Sequence, residues 1–429
     1  MACPIPRTAE ALAAWAEELR SRTLWMIADL SDADLYCKEL QATNPFLWEI
    51  GHVGWFHERF LLRAAEEPSL RADADELFDS MEVEHDSRWM LQMPTRADVL
   101  AYIADVHGVL QAVLENEGAA RSAEDIALWQ LCLFHEEMHV EAFLYMRQTL
   151  GYCAPPGIGC DPPGARGPRA EGDAVVPAGV YRIGAERDEA FCFDNERWVH
   201  DVELDEFRIA RALVTQTDFQ QFVDAGGYAD ERLWTAEGRE FRARAEAHHP
   251  RDWRKQDGGW ERRCFNHWMP LDERLPMIGV SWFEAQAYCS WAGRRLPTEE
   301  EWEAAASFDP NGGRRRYPWG DEVPDENRAV LDALTEGVCD VQARTDGDSA
   351  LGLRQLIGNV WEWTDSDFVP YAGFSPATYE AYSKPWFGTR KVLRGGAWST
   401  SSKLARNTHR NFFQAWRRDV PSGFRSCAP

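Results

Sequence analysis

The sequence predicts an α+β protein in two parts, an N-terminal four-helix bundle and a second domain with little regular secondary structure. Three observations predict it. Apolar residues recur at three- and four-residue spacing through the first third of the chain, a Pro/Gly-rich stretch then breaks that rhythm, and short strand-like pieces follow among segments dense in Trp, Gly and Arg. At 429 residues the chain is long for one core, so two domains of ordinary size are expected.

Four segments carry the helical period: "TAEALAAWAEELRSRTLWMIADL", "NPFLWEIGHVGWFHERFLLRAAEE", "TRADVLAYIADVHGVLQAVLENE" and "SAEDIALWQLCLFHEEMHVEAFLYMRQTLG". Asn44 before Pro45 marks the start of the second, because an Asn side chain caps free N–H groups and Pro has none to lose at the first helical position. The stretch "APPGIGCDPPGARGPRAEGDA" is too rich in Pro and Gly for a regular element. The expected division is therefore a bundle over 1–152, a linker over 153–175 and a second domain over 176–429. In that domain "GVYRIG", "HDVELDEFRIA" and "KVLRGGAW" read as strands, held in place by buried aromatics.

Acidic residues outnumber basic ones by 71 to 46, a formal net charge of -25, which excludes a phosphate-tracking surface. Neither nucleic acid nor membrane is expected as a partner. The start lacks a basic segment followed by an apolar one, and no uninterrupted apolar stretch is long enough to span a bilayer, so a soluble cytoplasmic protein is expected. Ten cysteines lie scattered with no CxxC, which reads as reduced thiols serving as small buried hydrophobes.

The chemistry-bearing string is "HEEMH". Residues four apart on a helix lie about 40° from each other round the axis, so His135 and His139 project from one face and can share an ion. His52, in "WEIGHVGWFHERF", is the candidate third ligand: it sits on the apolar side of its helix with Trp48 and Trp55, whereas His57 groups with Glu58 and Arg59 on a more polar side. A lone inward histidine is more often a satisfied core residue; three on two helices of a bundle favour a metal. HExxH also suggests a zinc protease with Glu136 as general base. Against that reading, Glu141, the acidic residue just downstream, points about 120° from His135 and about 160° from His139 and reads as a solvated carboxylate. Three neutral imidazoles would leave iron(II) its full charge and open positions for an anionic thiolate or selenolate and for dioxygen.

Beyond these residues, "GHVGWF" and "HEEMH" together with "FDNERWVHDVELDEFRIA", "VSWFEAQAYCSWAGRRLPTEEEWEAAA", "GNVWEWTDS", "VLRGGAW" and "RNFF…SGFR" resemble the ergothioneine sulfoxide synthase (EgtB) superfamily over nearly the whole chain. The resemblance implies a DinB-like bundle followed by a domain similar to the formylglycine-generating enzyme, a C-type-lectin-like fold. It implies a non-heme iron(II) enzyme with dioxygen as co-substrate that joins a chalcogen nucleophile to imidazole C2 of hercynine. The family's ligands fall on His52, His135 and His139, and its Tyr-x-x-Tyr motif falls on "YEAYSKPWFG". Tyr379 would then be the catalytic tyrosine and Tyr382 a pocket residue; Asn411 and Phe412 match the pair that contacts the betaine. "GNVWEWTDS" and "RLPTEEEW" are read as turns, caps and Trp packing. Formylglycine-generating activity is not expected, because that chemistry needs a close cysteine pair late in the domain and Cys427 has no cysteine partner after Cys339.

Two departures bear on the donor. Family members that use gamma-glutamylcysteine tend to carry Gln at the fourth position of HExxH and Asp soon after the Asn-aromatic pair, where this chain has Met138 and Phe413. Met138, about 60° round the helix from His135, is expected to line the substrate pocket. With the segments around both histidine strings, these changes resemble the selenoneine synthase (SenA) branch, which uses a selenosugar. Arg88, Arg417 and Arg418 are candidate donor partners or solvated cations. The alternatives are an ergothioneine-type synthase using gamma-glutamylcysteine or cysteine, and a non-catalytic ligand-binding protein of the same fold.

Overall fold

The computed structural model describes residues 5–63, 68–116, 122–160, 167–333 and 337–429. They form two compact units, Ile5–Gly157 and Ile158–Pro429.

The first unit is helical: α1 (Ala9–Trp25), α2 (Asp32–Tyr36), α3 (Phe46–His57), α4 (Ala74–Phe78), α5 (Arg96–Asn116) and α6 (Ala123–Leu150). Thr8 caps α1 by accepting the Ala11 N–H, Ser122 and Asp125 form a capping box on α6, and Gly151 ends α6 at φ 71°, a left-handed conformation that glycine adopts without strain. α1 packs against α5 and α6 and buries Leu12, Trp15 and Leu19, with Trp15 edge-on to Phe134 at 4.9 Å, while α5 buries Ile103, Val106 and Leu110.

Two expectations for this unit need correction. Asn44 does not cap the second long helix, which starts at Phe46 with Pro45 in the cap position; the Asn44 amide donates to Glu49 Oε2 at 2.7 Å instead. That helix also gives way after His57 to a π-turn, Glu58–Leu62, and residues 64–67 of the expected helix lie outside the described residues. Arg96–Glu115 is long and apolar enough to cross a membrane by length and composition, with mean hydropathy 1.4, without being an uninterrupted apolar run. Asp98, Asp105 and His107 interrupt it, and its Val99, Tyr102, Ile103 and Val106 are buried in the bundle.

The second unit contains short strands and four helices: β1 (Asp173–Val176), β2 (Gly179–Ile183), β3 (His200–Leu204), β4 (Phe207–Ala210), α7 (Gln216–Asp224), α8 (Ala236–Arg244), β5 (Trp253–Gln256), β6 (Gly259–Cys264), β7 (His267–Pro270), α9 (Trp282–Trp291), α10 (Glu299–Ser307), β8 (Trp361–Asp367), β9 (Lys391–Arg394), β10 (Asn411–Phe413) and β11 (Ser422–Gly423). "HDVELDEFRIA" divides into two strands with different partners, β3 on β2 and β4 on β1. β1 begins inside the stretch read as linker, of which 161–166 lie outside the described residues. The largest sheet has the order β10-β9-β8-β11. "GNVWEWTDS" is more than turns and packing, since its second half is the interior strand β8. "KVLRGGAW" stops as a strand at Arg394 because Gly395 and Gly396 take φ of 94° and 84°, and a Cβ on Gly395 would stand 2.2 Å from the Leu356 carbonyl oxygen.

Buried ion pairs tie this unit together. Arg406 pairs with Glu196, Arg394 with Glu303, Arg410 with Glu299 and Arg425 with Glu362, and every one of these side chains is at most 2% exposed. The expectation of reduced thiols throughout is also corrected: Cys160 and Cys264 form a disulfide. Local spacing could not reveal a pair 104 residues apart that meets only when the start of the second unit lies against β6. Seven other cysteines among the described residues are outside any disulfide.

Candidate active site

α3 and α6 bring His52, His135 and His139 together, with one ligand atom from each lying within 4.8 Å of the others. Their tautomers follow from their other contacts. His52 Nδ1 lies 2.8 Å from the Phe78 carbonyl oxygen, which can only accept, so the proton sits on Nδ1 and the Nε2 lone pair is free to bind. His139 Nδ1 lies 2.7 Å from Glu49 Oε1 and by the same reasoning carries the proton, while its Nε2 stands 3.2 Å from His135 Nε2. Burial pushes Glu49 upward, but attraction and a hydrogen bond from His139, with help from His52 and Asn44, outweigh it and hold the group down at about 2. Burial, with repulsion from His139, holds His52 down to about 3 and His135 well below the usual imidazole range. Neutral imidazoles with lone pairs directed to one place make a poor apolar core and a good cation site.

Aromatic rings hold these imidazoles in place. Trp48 stacks on His52 at 5.1 Å with planes 6° apart, Trp55 flanks it at 5.8 Å, and Phe56 lies 3.7 Å from His135 with planes 9° apart. Arg88 is not solvated: its guanidinium lies 3.8 Å over Trp48 and donates to Asn44 Oδ1 at 2.7 Å. Met138 is half-buried on α6 beside His139.

The remaining groups of the histidine strings differ from expectation. Glu136 accepts from Thr23 Oγ1 at 2.5 Å and faces His57, so it is engaged with α1 rather than poised as a general base. Glu141 is buried, not solvated. His57 is buried as well, and its Nε2 lies 3.0 Å from the Cys132 carbonyl oxygen. Every residue of α3 is buried, so the helix has no polar side, and face-counting placed His57 wrongly.

In the second unit, Tyr382 stacks on Phe193 at 4.4 Å and meets Phe412 edge-on at 5.9 Å; Phe412 in turn stacks on Phe368 at 4.0 Å. Tyr379 is half-buried at the start of the turn Glu380–Tyr382, where its carbonyl accepts the Tyr382 N–H. Burial raises the Tyr382 hydroxyl, with Glu196 and Asp194 adding to it, so the phenol stays protonated. Asn411 opens β10 opposite Leu393, with its Oδ1 accepting the Phe412 N–H at 2.8 Å. Arg417 pairs with Asp419 and lies 4.9 Å from the Phe413 ring, while Arg418 stands 3.5 Å from Glu284, so neither is a solvated cation. Cys339 and Cys427 are pushed up by burial to about 11 and about 12, and neither is a reactive thiolate at neutral pH.

Sequence reasoning missed the residues that hold these groups. Asp194 accepts from Ser383 Oγ at 2.5 Å and from the Ala377 N–H, bracketing the tyrosine turn, and Asn195 Nδ2 donates to Ser383 Oγ at 3.1 Å. Their only signal was membership of the "FDNERW" string. Glu49 had a clearer one, since it precedes His52 by three residues on the same helix.

Two family patterns match the chain: the DinB superfamily over 16–145 and the sulfatase-modifying factor enzyme 1-like domain over 162–428. The chain is 38% identical to the hercynine oxygenase of Mycobacterium tuberculosis, with 97% of this chain and 98% of that protein covered. It is 36% identical to the hercynine oxygenase of Mycolicibacterium smegmatis, with 96% and 97% covered. The formylglycine-generating enzyme of Thermomonospora curvata is 33% identical over 53% of this chain and 82% of its own length. The two-part architecture and the full-length likeness place the chain in the hercynine oxygenase family of oxidoreductases.

Proposed function

We propose that this protein is a non-heme iron(II), dioxygen-dependent enzyme that forms a C–Se or C–S bond at imidazole C2 of hercynine, with a selenosugar as the donor. The observation that carries the reading is the convergence of three histidines, two buried and one half-buried, with His52 and His139 each directing Nδ1 to an acceptor outside the group, in a chain of the hercynine oxygenase family. An iron(II) ion bound there would supply the activation of dioxygen.

The protein's own groups have distinct parts in this reading. His52, His135 and His139 hold the metal as neutral donors. Tyr379 gives a proton from its phenol hydroxyl. Tyr382 and Phe412 offer ring faces to the quaternary ammonium of the betaine, which has no N–H to donate, and Asn411 offers an amide to its polar end. Met138 and Phe413 support the sugar donor. Without polar partners, each carboxylate of gamma-glutamylcysteine would lose hydrogen bonds worth roughly 1–3 kcal/mol apiece, while a sugar brings neutral hydroxyls and one ionised chalcogen. Selenol is more acidic than thiol, so more of it is anionic at neutral pH.

The test is competition. Equal concentrations of a 1-selenosugar, thioglucose and gamma-glutamylcysteine compete for limiting hercynine with iron-loaded enzyme, and products are read by mass spectrometry. The selenosugar adduct should predominate, with thioglucose a slower substitute. Predominance of the gamma-glutamylcysteine adduct would assign the protein to the ergothioneine branch, and no adduct with any donor would remove the enzymatic reading.

A further inference from the structure

Glu49 is a buried acid, 3% exposed, in the first turn of α3, and the chemistry above gives it no part. We propose that Glu49 is a positioning residue for the metal centre, fixing the tautomer and ring plane of His139 so that Nε2 faces His135 and His52. The inference rests on the three-histidine reading of the site.

Both carboxylate oxygens are already engaged. Oε1 takes the Nδ1–H of His139 at 2.7 Å and Oε2 takes the Asn44 amide at 2.7 Å, so Glu49 is placed to orient a ligand rather than to be one. The chain of contacts continues: Asn44 Oδ1 accepts from Arg88 Nη1 at 2.7 Å, and the Arg88 guanidinium covers Trp48, which stacks on His52. One line of contacts therefore steadies two of the three histidines.

The two fixed histidines differ in what holds them. His52 donates to a neutral backbone carbonyl, whereas His139 donates to an ionised carboxylate, which draws harder on the Nδ1 proton and makes Nε2 the stronger donor. This gives the centre one imidazole of greater basicity. It also gives a use to an acid on a helix whose every residue is buried.

The full chain is titrated anaerobically with Co(II), a coloured probe that needs no turnover, and each variant is followed by calorimetry and by its visible spectrum. Glu49→Ala should bind Co(II) about 10–100-fold more weakly, and Glu49→Gln, which keeps an acceptor but not the charge, should lie between it and the parent with shifted bands. Apo-protein melting and circular dichroism establish that each variant is folded. If Glu49→Ala does not fold, Glu49→Gln decides alone. Parent-like affinity and spectrum in the folded variants would overturn the proposal. His52→Ala separates the two readings: loss of Co(II) there with none in the Glu49 variants sinks only this inference, while retention of Co(II) in His52→Ala sinks the three-histidine centre itself.

Discussion

The ion pairs at the centre of the second unit and the histidine group of the bundle treat buried polar groups in opposite ways. In the second unit, the four most deeply buried guanidinium–carboxylate pairs, such as Arg406 with Glu196 and Arg425 with Glu362, set opposite charges against each other where they stand. In the bundle, three imidazoles face one another, and the hydrogen bonds of His52 and His139 lead outward to Phe78 and Glu49. The first pattern is a scaffold, costly to break on one side. The second is an arrangement that could hold a cation. Direction of the lone pairs, more than burial, separates a structural polar cluster from a functional one.

If that contrast holds, damage to the two regions should read out differently. The largest effect is expected for His135→Ala, which should bring hercynine-dependent oxygen uptake to the background rate while the apo protein melts within a few degrees of the parent. Next comes Tyr379→Phe, which should lower bond formation by roughly 10²–10⁴-fold and leave hercynine affinity unchanged, or divert oxygen into oxidation of the donor. Unchanged rate and product ratio would show that the tyrosine is misplaced. On the scaffold side, Arg406→Met should cost about 3–5 kcal/mol of stability in denaturant, because Glu196 is left buried and unpaired, while Co(II) affinity of the folded protein stays at the parent value.

A comparable effect is expected in pH. Burial, with repulsion from Arg406, holds His409 down to about 3; burial pushes Glu196 up, but Arg406 overrides it and holds the acid down at about 2. Both shifts are downward from the unfolded values, so the unfolded chain binds the extra protons. Stability should be full above about pH 6.5, the unfolded imidazole value, and fall as pH drops through the window down to about 3 for His409, with Glu196 joining below about 4.5. Each group adds a slope of about 1.4 kcal/mol per pH unit where only the unfolded state is protonated. His409→Gln should flatten the upper part of the curve, and an identical curve would remove His409 from the account.

The bundle was far more legible than the second unit. Helical period marked its long helices, and four-residue spacing put His135 and His139 on one face without knowledge of any other element. His52 could be added because Trp48 and Trp55 flagged the side it shares. The errors came where local rules met tertiary demands. Asn44 was read as a cap because its sequence neighbours suit one, but Glu49 and Arg88 claimed both ends of its amide. His57 was read as polar-faced on a helix that is buried all round. In the second unit the partners of a pair lie far apart along the chain, 210 residues for Glu196 and Arg406 and 189 for Asp194 and Ser383, and no local pattern carries such information. The disulfide escaped notice for the same reason.

The most direct test of the central claim is the iron content and turnover of His52→Ala, the ligand that periodicity in "HEEMH" does not supply. Anaerobic titration of the parent with iron(II) should saturate at one ion per chain and support hercynine-dependent oxygen uptake, and His52→Ala should lose both the stoichiometric binding and the uptake. Full iron occupancy with full activity in His52→Ala would contradict the three-histidine centre.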